Sequence, residues 1–413
     1  MKKFTVPSGY RSSLISSIKE KRREADKMKK DFSPSMLDFG PLQIYLARHF
    51  GFCYGVENAI EISFRTVEEN VGKRIFLLSE MIHNPFVNED LLKKGVRFMM
   101  DTKGNLLIPF ESLEARDIVI IPAFGTTIDI ERKLRARGIQ IEKYDTTCPF
   151  VEKVWNRSEQ IAHKGYTVIV HGKPSHEETR ATFSHSALHT PTLVIEDMTE
   201  AVELGKYLTG EYPLEKFPTQ FADRFSPGFD AAQHLQKIGV VNQTTMLASD
   251  TQAIADYLKQ CMMRQYGLSE ATISTRFADT RDTLCYATLD NQSAVQGMLD
   301  QEADLAFVVG GRNSSNTSHL VELCEEKLPT YFVRSAEDIQ SKNILVHFNW
   351  RTKQERIHEN WLPTHRPLRI LLTSGASCPD AQVEGVIHQM LELVENTRPF
   401  EAVAEEWISS LAD

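Results

Sequence analysis

Short apolar runs alternate along this chain with longer segments whose apolar residues recur every three or four positions. Arg74–Leu78, Ile118–Pro122, Thr167–Val170, Ile238–Val241, Leu305–Val309 and Leu368–Thr373 are runs of the first kind, all but the second followed directly by Gly, Ser, Asn or His. Their length and bounding residues predict buried strands. The segments between them carry helical stripes. Val56, Ala59, Ile60, Phe64 and Val67 form one, and Val151, Val154, Trp155 and Ile161 form another. Val295, Met298 and Leu299 form a third, and Val383, Val386, Ile387, Met390, Leu391 and Val394 a fourth. Strands alternating with helices predict an α/β protein with parallel sheets. In such sheets ligands gather at the carboxyl ends of the strands, so the polar residues just beyond each strand draw attention.

A cysteine marks three of these strand-to-helix turns. They are Gly51-Phe52-Cys53-Tyr54-Gly55-Val56, Asp145-Thr146-Thr147-Cys148-Pro149 and Asp282-Thr283-Leu284-Cys285-Tyr286. A thiol at a helix N-terminus is biased towards thiolate, the form that attacks or binds metal. The repetition predicts three α/β units over 41–147, 148–284 and 285–395, each delivering one thiol to a common centre. A basic extension over 1–40 precedes them and a tail over 396–413 follows. The stretch about 205–236, rich in Phe, Pro and charge, reads as an insertion making a surface excursion. The pattern does not choose among the cysteines, because Ser377-Cys378-Pro379-Asp380 obeys the same grammar, with proline suited to a first helical turn. Cys261 and Cys324 sit inside helical stretches and read as packing.

Composition narrows the function classes. The 413 residues carry a net charge of −9, with 41% hydrophobic and 25% charged residues. That balance is ordinary for a globular protein and argues against a nucleic-acid binder. No apolar run approaches the roughly 18 residues a membrane span needs. Six cysteines scattered over this length do not make a disulfide framework and point to a reducing compartment. The basic extension interleaves Lys2, Lys3, Arg11, Lys19 and Arg22 with Glu20, Glu24 and Asp26. It lacks the apolar core of a secretory signal, and its acidic residues speak against a transit peptide. It reads as a solvated, partly helical arm.

Three widely spaced thiols suit an iron–sulfur cluster with one iron left open, which can act as a Lewis acid. Two polar clusters follow strands. Gly310-Gly311-Arg312-Asn313-Ser314-Ser315-Asn316-Thr317-Ser318 exceeds what one helix cap needs and suits an anion, as does Ser374-Gly375-Ala376-Ser377. His83, His176, Glu178 and Thr244 also lie just past strands, where a carboxyl beside a histidine can do acid–base work. The competing readings are inert packed cysteines with ordinary caps, a redox carrier that would not need the anion cradle, and a structural zinc protein. The last is disfavoured because no Cys-x-x-Cys pair occurs.

Taken together, these stretches resemble the LytB/IspH family of 4-hydroxy-3-methylbut-2-enyl diphosphate reductases, last enzymes of the non-mevalonate isoprenoid pathway. The matching motifs include Gly51–Val56, His83-Asn84-Pro85, Asp145–Pro149, Ser175-His176-Glu177-Glu178-Thr179, Asn242-Gln243-Thr244-Thr245, Cys285-Tyr286-Ala287-Thr288, Gly311–Thr317 and Thr373–Ser377, in the family's order. The resemblance implies a trefoil of three similar α/β domains around a central 4Fe-4S cluster. It implies Cys53, Cys148 and Cys285 as ligands and demotes Cys378. It implies that the open iron takes the hydroxyl of an allylic diphosphate. His83, His176, Ser314, Ser315, Asn316 and Ser377 would hold the diphosphate, and Glu178 would donate the proton, with Thr244 and His176 in the relay. Water leaves with two electrons and two protons, giving isopentenyl and dimethylallyl diphosphate. Ferredoxin or flavodoxin is the implied electron donor, and the implied location is cytoplasmic, or the plastid stroma if the source is eukaryotic. Ala123-Phe124-Gly125 stands where the commoner bacterial pattern has Ala-His-Gly. That form, the extension and the insertion are similar to the plant and cyanobacterial branch.

Overall fold

The computed structural model describes residues 4–278 and 283–410. Lys2, Lys3, Asp282 and the last residues of the tail lie outside them. The chain divides into two compact units. One runs up to Glu57 and takes in His83–Val87 and the chain from Tyr286 onward. The other comprises Asn58–Ile82 and Asn88–Cys285.

In the first unit, five strands pair in the order Ser35–Asp38, Leu42–Leu46, Leu368–Ser374, Leu305–Val309, Thr330–Val333. Only the first pair is antiparallel. Leu305–Val309 is buried at every position, as a central parallel strand covered on both faces must be. Ile344–Asn349 and Gln354–Glu359 form a separate antiparallel hairpin. The helices Ser315–Glu325 and Asp380–Leu393 each follow a strand of the sheet directly.

The basic extension is not a solvated arm. Its helix Ser13–Ala25 is capped by Ser12, whose hydroxyl accepts from Ile15 N–H at 3.0 Å. Phe4, Val6, Tyr10, Ile15 and Ile18 are all buried. The count of lysines and arginines hides this apolar face.

The second unit holds two wholly parallel sheets. One has the order Arg97–Phe98, Ile75–Leu77, Ile118–Ile120, and the other Thr192–Ile195, Thr167–His171, Ile238–Asn242, Phe277–Ala278. Successive residues of Thr167–His171 point to opposite faces. Val168 and Val170 pack with Val154 and Ile161 of the helix Pro149–His163. Ile169 joins Leu204, Tyr207, Leu258 and Met262 on the other face.

The stretch read as a surface excursion belongs to that second core. Phe217 and Phe221 are almost fully buried, and the Phe217 ring stacks on Phe229 with centroids 5.5 Å apart. Beyond them, Val194 N–H donates to Arg224 O and Ser226 N–H to Thr192 O, so the segment also covers the edge of the four-stranded sheet. Its phenylalanines are core residues on an irregular backbone, which periodicity cannot reveal. We expect Phe217→Ala to cost about 3–5 kcal/mol in denaturant unfolding followed by tryptophan fluorescence and circular dichroism. A change of a few tenths would mean that this cluster is peripheral after all.

Candidate active site

Three adjacent parallel strands of the first unit release their loops at one edge. Leu42–Leu46 leads to Cys53, Leu368–Ser374 to Ser377, and Leu305–Val309 to Ser314–Asn316. Backbone bonds lock the loops together. Cys53 N–H donates to Ala376 O at 3.1 Å, and Gly375 N–H to Val309 O at 3.0 Å. Ser314 caps the helix Ser315–Glu325, its hydroxyl accepting from Thr317 N–H at 3.2 Å. Thr317 fills the space where Gly310 and Gly375 lack a side chain; a Cβ on Gly310 would lie 2.7 Å from its hydroxyl oxygen.

Asn316 Oδ1 accepts from Ala376 N–H at 2.9 Å, which fixes its amide orientation. Its Nδ2 is buried with no hydrogen-bond partner among the described residues, and so is the Ser315 hydroxyl. Leaving buried donors unmet is costly, and here both sit at a helix N-terminus. His83 is buried in the same unit, and its carbonyl accepts from the Ser377 hydroxyl at 3.2 Å. A side chain on Gly311 would overlap that carbonyl. The structure thus places Ser314, Ser315, Asn316 and Ser377, with the backbone of His83, on interlocked loops that leave two buried donors to offer.

In the second unit Cys148 stands at the N-cap of the helix Pro149–His163, with Pro149 in its first turn. Its N–H donates to Ala123 O at 3.0 Å, beside Phe124. Burial pushes the Cys148 thiol up to about 11, opposed by the N–H groups of Phe150 and Val151, and the charges of Cys285 and Glu178 raise it further. Cys285 precedes the helix Tyr286–Met298, and its N–H donates to Thr244 O at 3.3 Å.

Glu178 lies in the first turn of the helix Glu177–Ser186 and is only 1% exposed. Thr244 holds both its oxygens: N–H to Oε1 at 2.5 Å and hydroxyl to Oε2 at 3.0 Å. His176 is the N-cap of that helix, its Nδ1 accepting from Glu178 N–H at 3.2 Å. The Phe124 ring meets the His176 ring edge-on, with centroids 5.5 Å apart. Phe124 therefore supports a polar residue by packing.

Two contributors are faint in the sequence. The side-chain carbonyl of Gln243 accepts from the Thr179 hydroxyl at 3.0 Å and from Lys173 N–H at 3.1 Å, setting the loop that carries His176. A Cβ on Gly172 would come within 2.6 Å of the Thr179 hydroxyl. The glycine just after a strand is the signal that could have revealed this close approach.

The remaining cysteines are enclosed. Cys261, Cys324 and Cys378 are 0% exposed, whereas Cys53, Cys148 and Cys285 are half-buried. Cys378 Sγ contacts Gln382 Oε1 at 3.4 Å, and burial pushes its thiol up to about 12. Among the described residues, no three His, Cys, Asp or Glu side chains converge closely enough for a single metal ion. No helix among them is long and apolar enough to cross a membrane.

Comparison with known proteins gives this arrangement a context. The family model described as LytB protein matches residues 44–391. A 4-hydroxy-3-methylbut-2-enyl diphosphate reductase of Synechococcus sp. (strain RCC307) is 39% identical, covering 95% of this chain and 91% of the relative. Its counterpart in Prochlorococcus marinus (strain NATL1A) is 37% identical over 95% and 92%. Among solved structures, the E-1-hydroxy-2-methyl-but-2-enyl-4-diphosphate reductase from Plasmodium falciparum shares the fold with a TM-score of 0.60 at 22% identity, covering 84% of this chain and 87% of that one. A family-model match over most of the chain, and relatives this similar over nearly its whole length, leave one conclusion: the chain belongs to the LytB protein family.

Proposed function

We propose that this protein is a 4-hydroxy-3-methylbut-2-enyl diphosphate reductase. It removes the allylic hydroxyl as water, consuming two electrons and two protons, and releases isopentenyl and dimethylallyl diphosphate. The observation that carries this reading is the double role of Thr244. It grips both oxygens of a buried carboxyl group while its carbonyl holds the N–H of Cys285. An acid is thereby tied by one residue to a thiol at a helix start.

The thiols fit a 4Fe-4S cluster. Three of the six are half-buried and stand immediately before helices, and the other three are sealed in packed interiors. A cluster spreads its thiolates over separate iron atoms, so their spacing need not suit one ion. Cys53, Cys148 and Cys285 are the proposed ligands. When bound, the cluster supplies electrons and a Lewis-acidic iron.

The remaining chemistry belongs to side chains. The amide of Asn316 and the hydroxyls of Ser314, Ser315 and Ser377 hold the diphosphate, helped by His83 and His176. Unmet donors at a helix N-terminus suit a phosphate oxygen. Glu178 delivers the proton, and Thr244 keeps its carboxyl aimed and completes the relay with His176. The electrons come from a small carrier, ferredoxin or flavodoxin. The proposed location is cytoplasmic, or the plastid stroma in a eukaryotic source.

An anaerobic preparation is expected to be brown, with about four irons per chain, and to consume two electrons per product. A colourless zinc protein under strict anaerobiosis would defeat the reading. Cys53→Ser should lose the cluster, whereas Cys378→Ser should keep it; equal iron contents would refute the ligand choice. Glu178→Gln is expected to retain iron yet lower kcat by roughly 100- to 10,000-fold. Full turnover in that variant at normal iron content would remove Glu178 from the mechanism.

A further inference from the structure

The basic extension reaches the loop that carries Cys53. On the helix Ser13–Ala25, Ile15 and Ile18 are buried and Lys19 follows them, so its side chain is led inward over an anchored face. Lys19 Nζ donates to Phe50 O at 2.8 Å and to Asp380 Oδ1 at 2.5 Å, and lies 4.0 Å from the centroid of the Phe50 ring. Phe50 stands three residues before Cys53, and Asp380 three residues after Ser377. One ammonium thus joins the thiol-bearing loop to the turn that supplies an anion donor.

The backbone is shaped around this clip. Gly51 has φ +77° and lies against it; a Cβ there would fall 2.6 Å from Asp380 Oδ1 and 2.8 Å from Lys19 Nζ. The same two loops are tied again where Cys53 N–H donates to Ala376 O. Either side of the thiol, rings of the extension add support. Tyr10 meets Phe52 edge-on at 6.0 Å, and Phe4 meets Tyr54 edge-on at 4.9 Å. Alternate residues of the loop, Phe50, Phe52 and Tyr54, are therefore each held by the extension, with Cys53 among them.

We propose that Lys19 is a positioning residue for the redox site, fixing the Cys53 loop against the Ser377 turn, and that the N-terminal extension is part of the framework of that site. The inference rests on the reading of Cys53 as a cluster ligand. Charge-assisted hydrogen bonds of this kind stabilise more strongly than neutral ones. Their loss should show first as easier opening of the loop and not as global unfolding.

The test compares the holoenzyme with Lys19→Met, Lys19→Arg, Asp380→Asn and the double variant Lys19→Met/Asp380→Asn, all prepared anaerobically. Iron release to a chelator is followed by absorbance, alongside the unfolding midpoint, KM and kcat. Lys19→Met should lose iron roughly tenfold faster or more, with little change in the unfolding midpoint, and Lys19→Arg should restore much of the retention. Asp380→Asn should resemble Lys19→Met, and the double variant should be scarcely worse than either, as partners in one interaction behave. Release within twofold of the parent in both single variants, or fully additive effects, would overturn the proposal. Should Lys19→Met fail to fold, iron release from Asp380→Asn and Lys19→Arg decides the matter. If Cys53→Ser keeps its cluster, the ligand reading fails instead; if Cys53→Ser loses it while Lys19→Met does not, this inference alone fails.

Discussion

Parallel pairing is the constraint on which both units depend. Neighbouring parallel strands all end at the same edge of their sheet, and strands buried on both faces can place polar groups only there. In the first unit this sends the loops after Leu42–Leu46, Leu368–Ser374 and Leu305–Val309 out side by side. In the second it does the same for Thr167–His171 and Ile238–Asn242, which lead to His176–Glu178 and to Thr244. Backbone bonds then continue past the sheet, as in Gln243 N–H to His171 O and Gly375 N–H to Val309 O. The loops inherit the order of the strands.

This explains what could be read in the sequence. All six apolar runs are strands, with ends displaced by a residue or two, because a central parallel strand must be apolar throughout. The peripheral strands Arg97–Phe98 and Phe277–Ala278 have two residues each, too few for any pattern. The helix starts at Tyr54 and Pro149 are legible from apolar stripes that begin just after Cys53 and Cys148, whereas the stripe following Cys285 begins only at Val295. Summed charge makes the extension look solvated, whereas Ile15 and Ile18 define one buried face. The clip between Lys19 and Asp380 has no local signature, since the partners are separated by 361 positions.

The cysteines show where pattern stops and packing begins. Cys53 and Cys378 both follow adjacent strands of one sheet and both precede helices, so their sequence contexts are alike. Their surroundings differ. Cys378 is turned into the start of its own helix, against Gln382 and the carbonyl of Pro379, where burial disfavours the thiolate. Cys53 keeps partial exposure.

The first turn of the helix Glu177–Ser186 ties its N-cap histidine to the buried carboxylate residue that follows. Because His176 Nδ1 accepts the N–H of Glu178, the neutral ring must carry its proton on Nε2. The ring is thus a hydrogen-bond donor on its other side, as contact with a phosphate oxygen requires. Protonating Nδ1 would remove the acceptor of this cap. Phe124, edge-on to that imidazole, adds no charge and no competing acceptor. Glu178 is held by the same helix start and by Thr244, which bonds both of its carboxyl oxygens. A histidine at position 124 would set a second titratable ring beside His176. With phenylalanine there, the ring packed against His176 brings no titratable group.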